Sequence, residues 1–372
     1  MRVRSDGRAI RPAPQQWAAP HPALRATFPS KAGEGGPPPA PVRGEMLNDT
    51  AFPSRGALTV GFAHVAYRAA EAFAARQIGV AHFQVRTFEE LERRVRDADV
   101  LVVSGLWRNT LLMTAPKLRF VQSFSAGADQ DDKALFARRG VRLANAQGAN
   151  ERAVAEHAIA LLLASTRQLH LARDNQRTRH WRGMIGDRDL REQELSGKIL
   201  LIVGLGRIGT RLAALARAFG MRVVGVRRTA RPEPDAADEV IAQTDLLKAL
   251  ARADVVALTC PLTPETEGLI GAAALAALKP GALLINVARG KVVDEAALLA
   301  ALADGRVRAA ALDCFHEEPL PPESVLWGLP NVLVTPHTAG ETTRYEENVV
   351  DILVDNIERL FRGETVLRNQ VV

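Results

Sequence analysis

Short apolar runs alternate with amphipathic segments along this chain from about residue 57 onward. In the first part, the pattern predicts strands at 58–62, 80–85, 100–103, 118–123 and 141–144. Helical periodicity between them predicts helices at 67–77, 89–97 and 131–139. Strands that alternate with helices are typical of parallel sheets. The pattern therefore predicts a first α/β domain.

The second part repeats this alternation, and its apolar runs are continuous, as expected for strands buried on both faces of a sheet. Strands are predicted at 199–203, 221–226, 255–258, 282–287, 309–312 and 332–335, and helices at 210–219, 272–278 and 294–303. Two long helices, at 150–173 and 341–362, are predicted on either side of this region. The fold class is α/β, with two doubly wound parallel-sheet domains.

Residues 1–56 have no hydrophobic period, and the first 45 residues contain nine prolines. We interpret this segment as a disordered tail rich in Pro, Arg and Ala, because it has too little apolar surface to fold. A transit peptide, or translation from Met46, is an alternative interpretation. The tail accounts for a charge of +4 out of the total of +6, so the body is not expected to bind nucleic acid.

The composition of the full chain, 47% hydrophobic and 24% charged, is typical of a soluble globular protein. No run of 18 or more apolar residues is present, so no membrane span is expected. The two cysteines, Cys260 and Cys314, favour a reducing compartment and a cytoplasmic location. We expect no metal site.

The most informative motif is Gly-Leu-Gly-Arg-Ile-Gly at 204–209, between a predicted strand and a predicted helix. Gly204 suits a tight turn, Gly206 allows close approach of a pyrophosphate, and Gly209 allows the helix to pack on the strand. Backbone N–H groups of Arg207 and Ile208 would face the phosphates at the helix N-terminus. The motif predicts a dinucleotide site.

The next predicted strand ends in Arg227 and Arg228, with Arg231 beyond, and no acidic residue follows before Glu233. In NAD enzymes, an Asp or Glu at this place binds the ribose 2′-OH. Guanidinium groups suit the 2′-phosphate of NADP(H), which a carboxylate would repel. We therefore expect NADP(H) to be preferred over NAD(H). The alternative is that these arginines only solvate the strand end and that NAD is used.

Three charged residues follow later predicted strands, namely Arg289, Glu318 and His337. In a parallel sheet, they would all lie at the carboxyl edge that carries the dinucleotide loop. A guanidinium binds a carboxylate in bidentate fashion, and a histidine beside a carboxylate can donate a proton near neutral pH. The set is suited to the reduction of a 2-keto acid.

With these motifs in place, the sequence closely resembles the D-isomer-specific 2-hydroxyacid dehydrogenase family. Matching segments, over roughly residues 58–363, are Gly-Ala-Asn-Glu-Arg-Ala-Val-Ala-Glu-His at 148–157, Gly-Leu-Gly-Arg-Ile-Gly at 204–209, Cys-Pro-Leu-Thr-Pro-Glu-Thr at 260–266, Asn-Val-Ala-Arg-Gly at 286–290, Val-Asp-Glu at 293–295, Glu-Glu-Pro-Leu at 317–320 and Pro-His-Thr-Ala-Gly at 336–340.

The resemblance implies a flavodoxin-like substrate domain, residues 57–147 plus 336–372, into which a Rossmann cofactor domain, residues 148–335, is inserted. It implies Arg289 as substrate clamp, His337 as acid/base and Glu318 as its partner. A turn at Ser104, Gly105 and Leu106 would bind the substrate carboxylate. Further cofactor contacts are implied at Cys260, Pro261, Thr266, Val287, Ala288, Asp313, His337 and Ala339. Family members are typically dimers through the cofactor domain, which helix 150–173 could serve.

Two departures from the family pattern refine this expectation. Arg227 replaces the usual acidic residue, which resembles the NADPH-using glyoxylate/hydroxypyruvate reductases. Glu318 stands where the formate dehydrogenases of this superfamily carry glutamine, so formate oxidation is not expected. Trp107, next to the carboxylate turn, has two interpretations: a wall that favours a small substrate, or a core aromatic.

The hypothesis is an NADPH-preferring reductase of a small 2-keto acid such as glyoxylate or hydroxypyruvate. The main alternative is a nucleotide-sensing, non-catalytic regulatory protein with the same fold. A second is a nucleic-acid or partner-binding module that works through residues 1–45. A third alternative is that the protein is an enzyme whose physiological direction is the oxidation of a D-2-hydroxy acid.

Overall fold

The structure is a computed structural model that describes residues 52–128, 131–229 and 237–372. Most of the predicted tail, together with Arg231 and Glu233, lies outside these ranges. The described chain begins ahead of the predicted boundary at residue 57. The ring of Phe52 packs edge-on against Phe361 at 5.7 Å, and Arg55 forms a 2.9 Å ion pair with Glu358.

Five strands form the first sheet, and all of its neighbouring strands are parallel. They are β1 (Thr59–Ala63), β2 (Ala81–Val85), β3 (Val100–Val103), β4 (Phe120–Ser123) and β5 (Arg142–Ala144). The order β2-β1-β3-β4-β5 places a topological switch point between β1 and β3. Ligands of doubly wound sheets bind at the carboxyl edge near such a point.

Seven strands form the second sheet, which is also parallel throughout. They are β6 (Ile199–Val203), β7 (Arg222–Arg227), β8 (Glu239–Ala242), β9 (Val255–Leu258), β10 (Ala282–Asn286), β11 (Val307–Leu312) and β12 (Val332–Val334). The order β12-β11-β10-β9-β6-β7-β8 has its switch point between β6 and β9. The two-domain, doubly wound α/β fold is therefore confirmed.

Helices cover both sheets. They are α1 (Ala69–Ala74), α2 (Phe88–Arg94), α3 (Leu111–Thr114), α4 (Lys133–Arg139), α5 (Glu151–Thr166), α6 (Leu169–Thr178), α7 (Arg207–Ala218), α8 (Leu246–Leu250), α9 (Ala272–Ala277), α10 (Glu295–Ala303) and α11 (Tyr345–Phe361). Several starts follow from local capping. Asp294, for example, accepts a hydrogen bond from the amide of Ala297 and so begins α10.

The secondary-structure prediction is wrong about one long helix, and it omits strand β8 and the short helices α3 and α8. The single helix over 150–173 is two helices, because Gln168 has a φ of 52° and interrupts the helix between α5 and α6. Strand β8, which ends the second sheet, was missed, because all four of its residues are only half-buried and its sequence has no long apolar run.

The last helix, α11, returns to the first sheet. Its apolar face shares one core with β1 and α1, through residues such as Val349, Leu353 and Ile357. Asn356, fully buried, donates hydrogen bonds to Gln122 of β4 and to the carbonyl of Arg368. The chain therefore leaves the second sheet after β12 and finishes on the first. Among the described helices, none combines the length and apolar character needed to cross a membrane.

Candidate active site

The turn between β6 and α7 is built on two glycines that leave no room for a side chain. Gly204 has a φ of 103°, and an added Cβ would lie 2.5 Å from the amide nitrogen of Cys260. A Cβ on Gly209 would lie 2.4 Å from the carbonyl oxygen of Gly204. The hydroxyl of Thr259 donates to that same carbonyl at 2.7 Å. The turn is thereby held against the loop that follows β9.

Gly206 differs from these two glycines because a Cβ there would meet no atom within 4 Å. Helix α7 begins directly after it and has no side-chain cap. The first N–H groups of a helix have no intrahelical acceptor, so an uncapped helix start beside open space suits a phosphate group. Arg207 turns its guanidinium away toward Glu151, at 3.8 Å, so only its backbone belongs to the turn.

Arg227 and Arg228 lie where β7 ends, beside the turn, since β7 pairs with β6. Arg227 is half-buried and Arg228 is exposed. The hydrogen bond from Thr263 lowers the pKa of Glu265 most, and the charge of Arg228 lowers that pKa further. Arg228 therefore lies near the loop 259–266, so that the two segments border one region at the carboxyl edge.

The loop 259–266 is fixed by its own threonines. The Thr266 hydroxyl donates to the carbonyl of Pro261 at 2.7 Å and accepts from the amide of Thr263 at 2.8 Å. Cys260 is buried, and burial raises the pKa of its thiol to about 11. Burial also raises the pKa of the Cys314 thiol, so neither cysteine is a thiolate near neutral pH.

Arg289 is held by the end of β10. Asn286 accepts a hydrogen bond from the amide of Ala288 and donates one to the carbonyl of Arg289, both at 3.0 Å. At Gly290, a Cβ would lie 2.0 Å from the carbonyl carbon of Phe315. This close packing joins the Arg289 loop to the loop after β11, which carries Glu318. Val287 and Ala288 are buried at the start of the Arg289 loop.

Glu318 and His337 form a direct pair, with 2.7 Å between Oε2 and Nδ1. The other carboxylate oxygen accepts from the amide of Phe315 at 2.8 Å. The hydrogen bond to Glu318 raises the pKa of His337 in spite of burial. Burial opposes ionisation of Glu318, but the hydrogen bond and charge of His337, with the charge of Arg289, keep its pKa below the usual value. The structure therefore brings the three strand-end residues together.

Asp313 organises the segment that carries His337. Its buried carboxylate accepts from the amides of Thr338 and Ala339, at 3.0 and 3.1 Å, and from the hydroxyl of Thr335 at 2.7 Å. His157 of α5 reaches Thr335 through Nε2, at 3.0 Å from its hydroxyl oxygen. Asp313 thus fixes the backbone on both sides of His337, which has a φ of 54°.

In the first sheet, Ser104, Gly105 and Leu106 follow β3 at the switch point. Gly105 is exposed, and Ser104 and Leu106 are half-buried, so the turn faces the carboxyl edge. Trp107 is only 9% exposed and stacks on Phe136 at 5.3 Å. Of its two interpretations, the core aromatic is therefore the one the packing supports.

Three residues with roles in this network were missed or passed over from the sequence, namely Asn286, His157 and Thr335. The sequence indicates a role for Asn286, because it is a polar residue that ends an otherwise apolar strand. The indication for His157 is weaker, because it is a polar side chain on an apolar helix. In the part of the chain that the structure describes, no group of three or more His, Cys, Asp or Glu side chains could hold a metal ion.

Comparisons with known proteins agree with this geometry. Residues 159–339 match the model of the D-isomer specific 2-hydroxyacid dehydrogenase, NAD binding domain. The chain is 36% identical over 281 residues to D-3-phosphoglycerate dehydrogenase from Methanocaldococcus jannaschii, which covers 75% of this chain but only 52% of that protein. It thus spans about half the length of that relative.

Other relatives match over nearly their full length. Glyoxylate reductase from Thermococcus gammatolerans is 36% identical over 308 residues, 78% of this chain and 91% of that enzyme. A solved structure of NADPH-dependent glyoxylate/hydroxypyruvate reductase from Sinorhizobium meliloti, in complex with NADP and malonate, has a TM-score of 0.72 and 29% identity. That likeness covers 86% of this chain and 97% of the solved one.

Proposed function

Because this chain belongs to the D-isomer specific 2-hydroxyacid dehydrogenases, we propose that it reduces a small 2-keto acid, such as glyoxylate or hydroxypyruvate, with NADPH as the preferred cofactor. The observation that carries this proposal is the His337–Glu318 pair, placed beside Arg289 at the carboxyl edge of the second sheet. The family and the named relatives are dehydrogenases and reductases, and they give no support to the regulatory alternative.

Two groups would bind the substrate carboxylate, one a guanidinium and the other a set of backbone N–H groups. The guanidinium of Arg289 would bind the carboxylate, and backbone N–H groups of the 104–106 turn would bind it from the first domain. Nδ1 of His337 is engaged by Glu318, which leaves Nε2 to donate a proton to the oxygen on C2. The raised pKa of His337 favours the protonated form that reduction requires.

The cofactor, when bound, would supply the hydride for C2. Its pyrophosphate would bind beside Gly206, where the N–H groups of Arg207 and Ile208 at the start of α7 could donate hydrogen bonds to it. Arg227 and Arg228 would bind the 2′-phosphate. The other residues that the resemblance implies are proposed as further cofactor contacts: Gly204, Gly209, Cys260, Pro261, Thr266, Val287, Ala288, Asp313, His337 and Ala339.

The NADPH preference is supported by the guanidinium groups at the end of β7 and by NADP in the Sinorhizobium meliloti relative. We also propose the domain division at 148 and 335, with residues 57–147 and 336–372 as the substrate domain. The shared core of α11 and the first sheet supports this division. The two free, buried cysteines support a reducing, cytoplasmic environment.

We further propose a homodimer through the cofactor domain. The segment from α6 to residue 190 carries large apolar side chains that the protomer leaves uncovered. Trp181 is 95% exposed and Met184 102%, and Leu169 and Leu190 are also exposed. Aromatic residues and methionine are enriched in protein interfaces. A second copy of the same chain is the partner we propose for this segment.

The activity is tested by following loss of the reduced-nicotinamide absorbance with NADPH and, separately, NADH. Substrates are glyoxylate, hydroxypyruvate, pyruvate, phenylpyruvate and the phosphate ester of hydroxypyruvate, the last because of the phosphoglycerate dehydrogenase relative. We expect turnover with glyoxylate or hydroxypyruvate and a higher kcat/KM with NADPH. Faster turnover with NADH would refute the 2′-phosphate assignment and leave the reductase activity intact.

His337→Gln should lower kcat by at least about a hundredfold, the usual contribution of a general acid, and leave NADPH binding nearly intact. The neighbouring His316→Gln is the matched control, because His316 bonds the carbonyl of Val293 and lies outside the pair. If no acid is turned over by a protein that binds NADPH, the regulatory alternative is favoured.

A further inference from the structure

His64 lies next to the proposed carboxylate turn, although the turn itself belongs to another strand. It follows β1 directly, and Ala63 of β1 pairs with Val103 of β3. The next residues along the two strands are His64 and Ser104. Neighbouring strands are about 4.8 Å apart, so the two residues are adjacent at the carboxyl edge of the first sheet.

The imidazole of His64 is held in an aromatic cluster that we define as His64, Tyr67, Phe124 and Tyr345. His64 stacks on Tyr67 with 4.0 Å between ring centroids and 8° between planes. It also lies 5.3 Å from Phe124, which follows β4 on the far side of Ser104. The hydroxyl of Tyr345 donates to the carbonyl of Phe124. The ring is therefore fixed in place.

The aromatic cluster also lies close to the segment that carries the proposed acid. Tyr345 begins α11, eight residues after His337 in the chain. Burial, together with the charges of Glu341 and Glu346, raises the pKa of Tyr67 to about 12, so these carboxylates lie near the cluster. Glu341 follows His337 by four residues. The cluster thus lies between the 104–106 turn and the beginning of α11.

Hydrogen bonds determine which imidazole nitrogen carries the proton. Nδ1 of His64 accepts from the amides of Ala66 and Tyr67, at 3.1 and 2.9 Å, so the proton is on Nε2. Burial, with the charge of Arg86, lowers the pKa of His64 to about 4, and the ring is neutral at neutral pH. Within the described residues, Nε2 has no hydrogen-bond acceptor.

We propose that His64 determines substrate specificity by donating a hydrogen bond from Nε2 to an oxygen on C3 of the 2-keto acid. This inference rests on the proposed reductase function. A carboxylate bound at the 104–106 turn would place C3 within reach of a side chain from the adjacent strand end. A neutral, fixed donor suits a hydroxyl group, as in hydroxypyruvate, and gains nothing from the methyl group of pyruvate.

The test compares kcat/KM for hydroxypyruvate and pyruvate in the wild type and in two variants. In His64→Asn, the side-chain oxygen can replace Nδ1 as acceptor, but no donor reaches the position of Nε2. We expect the hydroxypyruvate-to-pyruvate ratio to fall about three- to tenfold, as for the loss of one hydrogen bond. In His64→Gln, the amide nitrogen lies near the position of Nε2, and most of the ratio should be retained.

His82→Asn is the matched control, because His82 lies near the start of β2, at the edge of the sheet opposite to His64. The hydroxypyruvate-to-pyruvate ratio of this variant should equal that of the wild type. An unchanged ratio in His64→Asn, or an equal fall in His64→Asn and His64→Gln, would overturn the assignment while the reductase function stands. No turnover of either acid by the wild type would overturn both.

Discussion

At the residue scale, the proposed chemistry depends on how the side chains of Glu318 and His337 change each other's ionisation. The 2.7 Å hydrogen bond between Glu318 and His337 raises the pKa of the imidazole and, against burial, lowers that of the carboxyl. The charge of Arg289 acts in the opposite sense on His337. Glu318 therefore favours the protonated form of His337 beside a cation that would bind the substrate.

This pairing predicts the pH dependence of reduction. In the proposed reduction, His337 must be protonated to donate its proton, so kcat/KM should fall as the pH rises through the pKa of that residue. In Glu318→Gln the negative charge is lost, the pKa of His337 falls, and the descending limb should move to lower pH by about one to two units. The measurement is kcat/KM for the preferred acid across pH in both proteins.

Glu317→Gln provides the control, since Glu317 is an exposed carboxylate one residue away. The descending limb of its kcat/KM profile should coincide with that of the wild type. If the descending limb of Glu318→Gln also lies at the wild-type pH, Glu318 does not set the ionisation of His337.

At the element scale, the strand–turn–helix unit of β6 and α7 shows that the three glycines of one motif have different physical roles. Gly204 and Gly209 are required because backbone atoms occupy the position of a Cβ. Gly206 has free space at the same position. Gly204 and Gly209 thus serve packing within the fold, and Gly206 leaves open the space in which we propose that the cofactor phosphates bind.

Two substitutions separate these roles. Gly209→Ala should destabilise the fold by about 1–3 kcal/mol, the usual cost of overpacking, and lower Tm by several degrees. Gly206→Ala should leave Tm nearly unchanged and weaken NADPH binding at least about tenfold, because the methyl group would fill the phosphate space. Thermal unfolding and a fluorescence titration with NADPH provide the two readouts. Equal effects of both substitutions on Tm would contradict this division.

At the scale of the whole molecule, the chain crosses between its two sheets twice. It passes from the first sheet through α5 into the second, and after β12 it returns through α11 to the first. Near these crossings, the side-chain Nδ2 of Asn348 in α11 donates to the carbonyl of Ala149 at 2.8 Å. The segment with His337 lies between β12 and α11, so both sheets determine its position.

The exposed segment from α6 to residue 190 gives a prediction at this scale. The double variant Trp181→Glu with Met184→Glu should be monomeric by light scattering at concentrations where the wild type is dimeric, because two charges would replace apolar contacts in the interface. Met113→Glu, at a methionine of the first domain that is 63% exposed, should leave the dimer intact. A monomeric wild type would refute the proposed interface.

The sequence by itself determined what is local or periodic. The apolar runs predicted most strands to within two residues, and the motif at 204–209 identified the dinucleotide turn, because its chemistry is encoded in consecutive residues. Arg289, Glu318 and His337 could also be grouped from sequence, since the carboxyl ends of parallel strands meet at one edge. The break in the helix after residue 166 could not be predicted, because the positive φ of Gln168 does not change the hydrophobic pattern.

Only the tertiary structure decided which distant residues support the site. Asp313 accepts from Thr335, Thr338 and Ala339, and Asn286 holds the Arg289 loop, through bonds that depend on the register of β10, β11 and β12. His64 lies beside the strand end that carries the 104–106 turn because β1 and β3 are neighbours in the sheet, although the two positions are forty residues apart in sequence. Hydrophobic periodicity specifies which residues are buried, but the partners of a polar side chain are set by strand order and packing.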